Sequence, residues 1–143
     1  MEYDTEGHLV VMKRSESDGE ITNITYKDGD VVKTSTRYVA SGDLNGDGII
    51  DSNDEWEYSA AIDYTTDNIT APIENKGCLM LFDEILDVDM DEMIYAYYGG
   101  MLGKATKHLP LVGHYTYNGE DSVSDMYFTW TLNSDSYPTE LVV

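Results

Sequence analysis

Oxygen-bearing side chains recur at nearly every second position in residues 43–54, and this spacing suits the binding of a hard cation. Calcium takes roughly six to eight oxygen ligands, and a twelve-residue loop of the EF-hand type supplies them from its positions 1, 3, 5, 7, 9 and 12. Position 6 is Gly48, which permits the positive φ of the sharp turn. The sequence therefore predicts a Ca²⁺ site with the ligands Asp43, Asn45, Asp47, Ile49 through its carbonyl, Asp51 and Asp54.

The alternative for this stretch is an ordinary solvated turn, because aspartate, asparagine and glycine all favour turns. A turn needs only two or three such residues. Here the ligand positions and the glycine match together, and this combination favours the metal site.

The residues on either side of the loop predict different secondary structures. Residues 31–41 are rich in β-branched and hydroxyl side chains, which favour an extended chain over an entering helix. After the loop, Ser52 and Asn53 offer N-cap chemistry, and acidic residues follow in the first turn. Apolar residues from Trp56 to Ile62 then predict an exiting helix that continues to about Tyr64.

A calcium loop with an exiting helix but no entering helix resembles the dockerin family, and aspartate at the twelfth position agrees with that family. A second repeat should follow, and residues 82–95 are the candidate. In the alignment with the first loop, the second loop begins at residue 79, and the leucines Leu79 and Leu81 stand at its first and third ligand positions. The resemblance implies a second set of ligands, which are Asp83, Ile85, Asp87 and Asp91.

The resemblance also implies a function. Dockerins dock onto the cohesin domains of a scaffoldin, and the contact residues at the tenth and eleventh loop positions match Ser52 and Asn53, with Val88 and Asp89 in the second repeat. The expected function is a calcium-dependent adaptor that anchors a larger parent protein in a cellulosome-type or cell-surface assembly. Two alternatives stay open: a calcium-stabilised structural segment of an adhesin-like surface protein, and a carbohydrate-binding module using aromatic residues. The aromatic residues are Tyr115, Tyr117, Tyr127 and Trp130.

Composition narrows the class of protein. The net charge of −20, from 28 acidic and 8 basic residues, argues against nucleic acid or an anionic membrane as a partner. Cys78 is the only cysteine, so it has no partner for an internal disulfide, and we expect a small buried side chain there. The three histidines fit neither a zinc-protease motif nor a nucleophile elbow. We therefore expect that the protein is not an enzyme. Its acidic composition and the resemblance to dockerins lead us to expect that it works outside the cell or on the bacterial cell surface.

The two ends of the chain predict β structure. Residues 1–40 have the alternation of a β meander, and residues 101–143 contain a hairpin around residues 118–122. Each segment is too small to bury its own apolar face, and the hypothesis that solves this for both is one shared antiparallel sheet. The alternative is two independent flanks joined by flexible chain. The predicted fold class is α+β, with a dockerin-like pair of loop-helix repeats at residues 41–100 inserted between the flanking β segments.

Overall fold

The structure is a computed structural model that describes residues 1–13, 20–38, 42–82, 85–88, 99–117 and 124–143. The described part is nearly all β, and its one helical element is a 3₁₀ turn at Ser52–Asp54. The strands are β1 Glu2–Tyr3, β2 Leu9–Lys13, β3 Ile21–Lys27, β4 Asp30–Tyr38, β5 Trp56–Asp63, β6 Val112–Tyr117, β7 Ser124–Tyr127, β8 Thr129–Leu132 and β9 Pro138–Val142. Within the described residues, no helix has the length and apolar character that a membrane-spanning helix requires.

Seven strands form one antiparallel sheet in the order of the chain, from β1 to β7. β3 and β4 are joined by a tight turn in which Asp28 and Gly29 both have positive φ, at 54° and 89°. Such a turn matches the right-handed twist of the two strands that it connects. β8 and β9 form a separate two-stranded sheet. The strands of the N-terminal segment and of the C-terminal segment therefore lie in one sheet, with β5 between them.

The prediction of a helix after the calcium loop is wrong, because these residues form β5. Tyr58, Ala60 and Ile62 point to the core side, while the intervening residues are more exposed, so the pattern has the period of a strand. β5 pairs with β4 on one side and with β6 on the other. Backbone hydrogen bonds to two neighbours outweigh the weak local signal for a helix start, and that signal produces only the 3₁₀ turn.

The predicted α+β fold class is wrong for the same reason, and the structure is all β. Among the described residues there is no loop-helix repeat. The helix that a second loop-helix repeat requires would fall in residues 89–98, outside the described part, and Asp83, Asp89 and Asp91 of that repeat lie outside it too.

The connection between β5 and β6 covers one face of the sheet and forms the second layer of the protein. Its apolar side chains pack against those of β2, β3, β4 and β5. The Thr34 hydroxyl donates to the carbonyl oxygen of Leu86 at 2.6 Å, and the Tyr115 hydroxyl donates to that of Ile85 at 2.7 Å. These two bonds tie the connection to the sheet. The members of this layer in the buried core cluster are Tyr64, Phe82, Ile85, Leu86, Val88 and Leu102.

The second strand of the predicted C-terminal hairpin, which follows the loop at residues 118–122, is divided into β7 and β8. Phe128 lies between β7 and β8, is buried, and donates its N–H to the carbonyl oxygen of Leu111 at 2.9 Å. Its side chain belongs to the core, so the chain leaves the large sheet here and β8 pairs with β9. The predicted hairpin loop at residues 118–122 lies outside the described residues.

Candidate functional site

The loop between β4 and β5 folds around the carboxylate of Asp43. Asp43 Oδ1 accepts the N–H groups of Gly46 at 2.7 Å and Asp47 at 3.2 Å, and Oδ2 accepts that of Gly48 at 2.7 Å. Gly46 and Gly48 have φ of 79° and 81°, which side chains disfavour. The first predicted ligand is therefore fixed at the centre of the turn by three backbone donors.

The carboxylate of Asp54 closes the same loop. Its Oδ1 accepts the N–H groups of Leu44 at 2.8 Å and Asn45 at 3.1 Å, and its Oδ2 accepts that of Asp51 at 2.9 Å. The backbone donors, Asp51 first among them, hold the pKa of Asp54 below its usual value. The last predicted ligand thus joins the two ends of the loop, and its side chain is buried.

The remaining loop ligands also bond to neighbouring backbone. Asn45 Oδ1 accepts the N–H of Asp47, Asp47 Oδ1 accepts that of Ile49, and Asp51 Oδ1 accepts that of Asn53. Residues 43–51 are exposed. In the part of the chain that the structure describes, the loop carboxylates do not bring three ligand atoms within 4.8 Å of one another.

The positions predicted for the second repeat and for docking fall in different places. Ser52 and Asn53 are exposed on the 3₁₀ turn, beside the loop. Ile85 and Val88 are buried in the core, and Asp87 adopts a left-handed backbone with φ of 55° between them. Because Val88 is buried, it has no surface with which to contact a cohesin or another partner, and the prediction that it is a docking residue is wrong.

A mixed group of ligands that sequence reasoning missed lies in the turn between β1 and β2. His8 Nδ1 is 2.9 Å from Asp4 Oδ2 and 3.8 Å from Glu6 Oε2. Asp4 Oδ1 accepts the N–H groups of Glu6 and His8, each at 2.9 Å, and these donors lower the pKa of Asp4. The available signal was the alternation of Asp, Glu and His over five residues.

The same end of the sheet carries an open cleft of about 990 Å³. His108 lines it, and its Nδ1 is held by Asp30 Oδ2 at 2.7 Å. Cys78 also lines the cleft and is exposed, so the expectation of a buried cysteine is wrong. Its backbone is left-handed, with φ of 50°.

The third histidine joins three strands on the outer face of the sheet. His114 on β6 bonds through Nδ1 to Asp125 of β7 at 2.7 Å and through Nε2 to Asp63 of β5 at 2.8 Å. Both nitrogens must donate to serve two carboxylates, so this arrangement favours the imidazolium. The bond to Asp125, and then that to Asp63, raises the pKa of His114 above 6.5.

This raised pKa predicts a stability contribution that depends on pH. The pKa of His114 is higher in the folded chain than in the unfolded chain, so its two bonds to carboxylates stabilise the fold fully below about pH 6.5. This stabilisation is lost as the pH rises through the folded-state pKa. The site is partly exposed, so we expect about 0.2–1 kcal/mol. Urea unfolding of the wild type and of His114→Gln should differ more at low pH than above the folded pKa.

The control for this prediction is the titration itself. Proton NMR of the His114 ring should give a pKa above 6.5, and Asp125→Asn should lower it, because the larger of the two stabilising bonds is weakened. A His114 pKa at or below the ordinary histidine value would contradict the prediction.

The fold and the site together define a strongly acidic domain built on an antiparallel β-sheet. The connection between β5 and β6 covers one face of this sheet, and the acidic loop at residues 43–54 joins the central strands β4 and β5. The chain belongs to the family described as a domain of unknown function (DUF4595) with porin-like fold, which matches residues 1–140. No curated protein and no solved structure matches the chain. A porin-like fold indicates an association with the outer membrane or the cell surface.

The family assignment overturns the resemblance to dockerins and the adaptor function drawn from it. The twelve-residue spacing predicts part of a loop-helix repeat, but in the structure these residues connect the two paired strands β4 and β5. Neither alternative function gains support from the family. The aromatic residues proposed for a carbohydrate platform are divided, since Tyr115 and Trp130 pack against the core while Tyr117 and Tyr127 are exposed.

Proposed function

We propose that the chain is a non-catalytic, calcium-binding domain that works outside the cell or on the bacterial cell surface. The observation that carries the proposal is the wrapping of the loop around Asp43, whose carboxylate accepts the N–H groups of Gly46, Asp47 and Gly48. This wrapping supports the proposal, because a twelve-residue calcium loop needs its first ligand inside the turn and a glycine at its sixth position. The donor set contains only oxygen, which suits Ca²⁺ and disfavours softer metals.

Charge supports a divalent cation at this place. Asp43, Asp47, Asp51 and Asp54 lie within twelve residues of a chain whose net charge is −20. Their mutual repulsion falls when a cation binds, and the side chains that now bond to backbone N–H groups keep further lone pairs for a metal. Binding would draw the exposed carboxylates of the loop together.

The position of the loop gives the cation a structural consequence. The loop leads from the end of β4 to the start of β5, where Tyr38 pairs with Trp56. A ligand that binds only the folded chain stabilises it, by about 2.7 kcal/mol at a concentration one hundred times its dissociation constant. Ca²⁺ would therefore stabilise the pairing of these two central strands.

The non-catalytic assignment rests on the sequence, which contains neither a zinc-protease motif nor a nucleophile elbow. The location is supported by the porin-like fold of the family and by the acidic composition, which suits an environment rich in divalent cations.

The experiment that tests the proposal is calorimetric titration with Ca²⁺, followed by thermal unfolding in Ca²⁺ and in excess chelator. We expect binding at one site, a higher melting temperature in Ca²⁺, and shifts of the Gly46 and Gly48 amide resonances in NMR spectra. The double variant Asp43→Asn with Asp51→Asn should lose this binding, because it removes two anionic ligands while preserving side-chain size.

The matched control is Asp67→Asn, which removes one exposed carboxylate from the connection between β5 and β6. It should bind Ca²⁺ as the wild type does. The proposal fails if wild-type protein melts at the same temperature in Ca²⁺ and in chelator and shows no heat of binding. It also fails if the double variant binds Ca²⁺ with unchanged affinity.

A further inference from the structure

The turn between β1 and β2 brings one imidazole and two carboxylates together, at the opposite end of the sheet from the calcium-type loop. Among the described residues, only Asp4, Glu6 and His8 place three ligand atoms within 4.8 Å of one another. A nitrogen ligand beside oxygen ligands suits Zn²⁺ and its neighbours in the first transition row better than Ca²⁺ or Mg²⁺. We propose that Asp4, Glu6 and His8 form a zinc-type metal site, separate from the calcium loop.

The distances suit a small ion. Zinc bonds to histidine nitrogen and to carboxylate oxygen are about 2.0–2.2 Å, so tetrahedral ligands stand about 3.4 Å apart. The separations from His8 Nδ1 to Asp4 Oδ2 and Glu6 Oε2 are 2.9 Å and 3.8 Å, one below and one above this value. Small movements of the carboxylates would therefore place all three ligands around one ion.

Two of the three ligands are already held in place. Asp4 Oδ1 accepts two backbone N–H groups, which leaves Oδ2 directed at His8. The His8 side chain is 7% exposed, and its ring stacks on Tyr26 with centroids 4.4 Å apart. A metal site needs ligands whose orientation is fixed by their surroundings, and these contacts supply that support.

The third ligand is adjustable. Glu6 is 73% exposed, and its carboxylate can swing toward His8 without disturbing the core. Gly7, with φ of 89°, allows the chain to turn between the two ligands. Glu6 and His8 both line the cleft, so the fourth position of the ion can be filled from solvent by water or by an anionic ligand.

Metal binding at His8 requires a defined change of proton position. The Nδ1 lone pair must point to the ion, so the proton shared with Asp4 leaves Nδ1 and the neutral ring carries its proton on Nε2. Zn²⁺ replaces that proton between the imidazole and the carboxylate and gives up bound waters to the solvent. No oxidation or reduction is involved.

The test is a calorimetric titration of the full chain with Zn²⁺ in saturating Ca²⁺, together with the visible absorption of bound Co²⁺. Wild-type protein should bind one Zn²⁺ at this site, and Co²⁺ should show the intense bands of a four-coordinate ion. Glu6→Gln should weaken Zn²⁺ binding by about tenfold or more, because losing even an outer-shell partner costs about 10–100-fold in affinity and Glu6 is a direct ligand. His8→Gln should abolish it.

Controls separate this site from other acids and histidines. Glu74→Gln removes a carboxylate from the same cleft, and His114→Gln removes the surface histidine of β6; both should bind Zn²⁺ as the wild type does. The calcium-loop double variant, Asp43→Asn with Asp51→Asn, should also keep full Zn²⁺ binding. A double variant that no longer binds Ca²⁺ but still binds Zn²⁺ would show that the two sites are independent. The zinc site therefore does not depend on the proposed calcium function.

The inference is overturned if wild-type protein binds no Zn²⁺ in saturating Ca²⁺, or if the calcium-loop variant loses the Zn²⁺ site. It is equally overturned if Glu6→Gln leaves the affinity unchanged. If His8→Gln does not fold, NMR of the wild type replaces it: Zn²⁺ must shift the His8 ring resonances, and shifts confined to His108 or His114 count against the site.

Discussion

Replacing Leu86 with alanine is expected to lower the free energy of unfolding by about 2–5 kcal/mol, the usual cost of deleting a fully buried leucine side chain. Leu86 is 1% exposed and lies in the connection that covers the sheet, against side chains of β2 to β5. The Thr34 hydroxyl binds its carbonyl oxygen, so the backbone cannot easily move to refill the cavity. The free energy of unfolding of a whole domain is only about 5–15 kcal/mol, so the loss expected for Leu86→Ala is a large fraction of the total stability.

Urea unfolding followed by tryptophan fluorescence measures this effect. The matched control is Leu79→Ala, the same substitution in the same connection at a side chain that is 37% exposed. It should cost much less than Leu86→Ala, because its side chain gains less from burial. Equal losses for the two variants would mean that the connection is not the second layer of the core.

Replacing Gly103 with alanine is expected to destabilise the fold through the backbone. Gly103 has φ of 71°, and a Cβ atom there would lie 2.6 Å from the carbonyl oxygen of Gly7 and 3.0 Å from the amide nitrogen of Leu9. Both contacts are with backbone of the β1–β2 turn and of β2, so neither can move aside cheaply. We expect a loss of about 2–4 kcal/mol, from the left-handed conformation together with the clash.

Gly100→Ala separates the two causes of that loss. Gly100 has a similar φ of 69°, but, its two chain neighbours aside, no heavy atom of the described residues lies within 4 Å of where its Cβ would be. Its replacement should cost about 1–2 kcal/mol, the price of the left-handed conformation alone. The same unfolding measurement compares the two, and a Gly103→Ala loss no greater than that of Gly100→Ala would show that the close approach to β2 does not constrain the fold.

Local signals in the sequence were sufficient where the structure depends on near neighbours. Alternating apolar residues predict strands at the N-terminal end, where β2, β3 and β4 lie, and Asp28 with Gly29 forms the tight turn between β3 and β4. The spacing in residues 43–54 predicts a calcium loop, and the backbone there does fold around Asp43, while the N-cap residues form only a short 3₁₀ turn. In these segments the deciding hydrogen bonds join residues of one turn or of strands that are adjacent in the chain.

The same kind of signal was misleading at β5. Capping residues followed by Trp56, Tyr58 and Ile62 suit the start of a helix, yet Tyr58 and Ile62 also lie on one face of a strand. The choice was made by pairing with β4 on one side and with β6 on the other. β6 begins at residue 112, about fifty residues further along the chain, so no local pattern in residues 55–64 contains this information.

The candidate sites divide in the same way. The sequence by itself determined the turn around Asp43, because its carboxylate accepts N–H groups only a few residues away. Asp4, Glu6 and His8 also meet through local geometry, but sequence reasoning did not recognise them as a group. Only the tertiary structure decided that His108 meets Asp30 and that Val88 fills the core. Those contacts join segments distant in the chain, and they form because the long connection must bury its apolar side chains against the sheet.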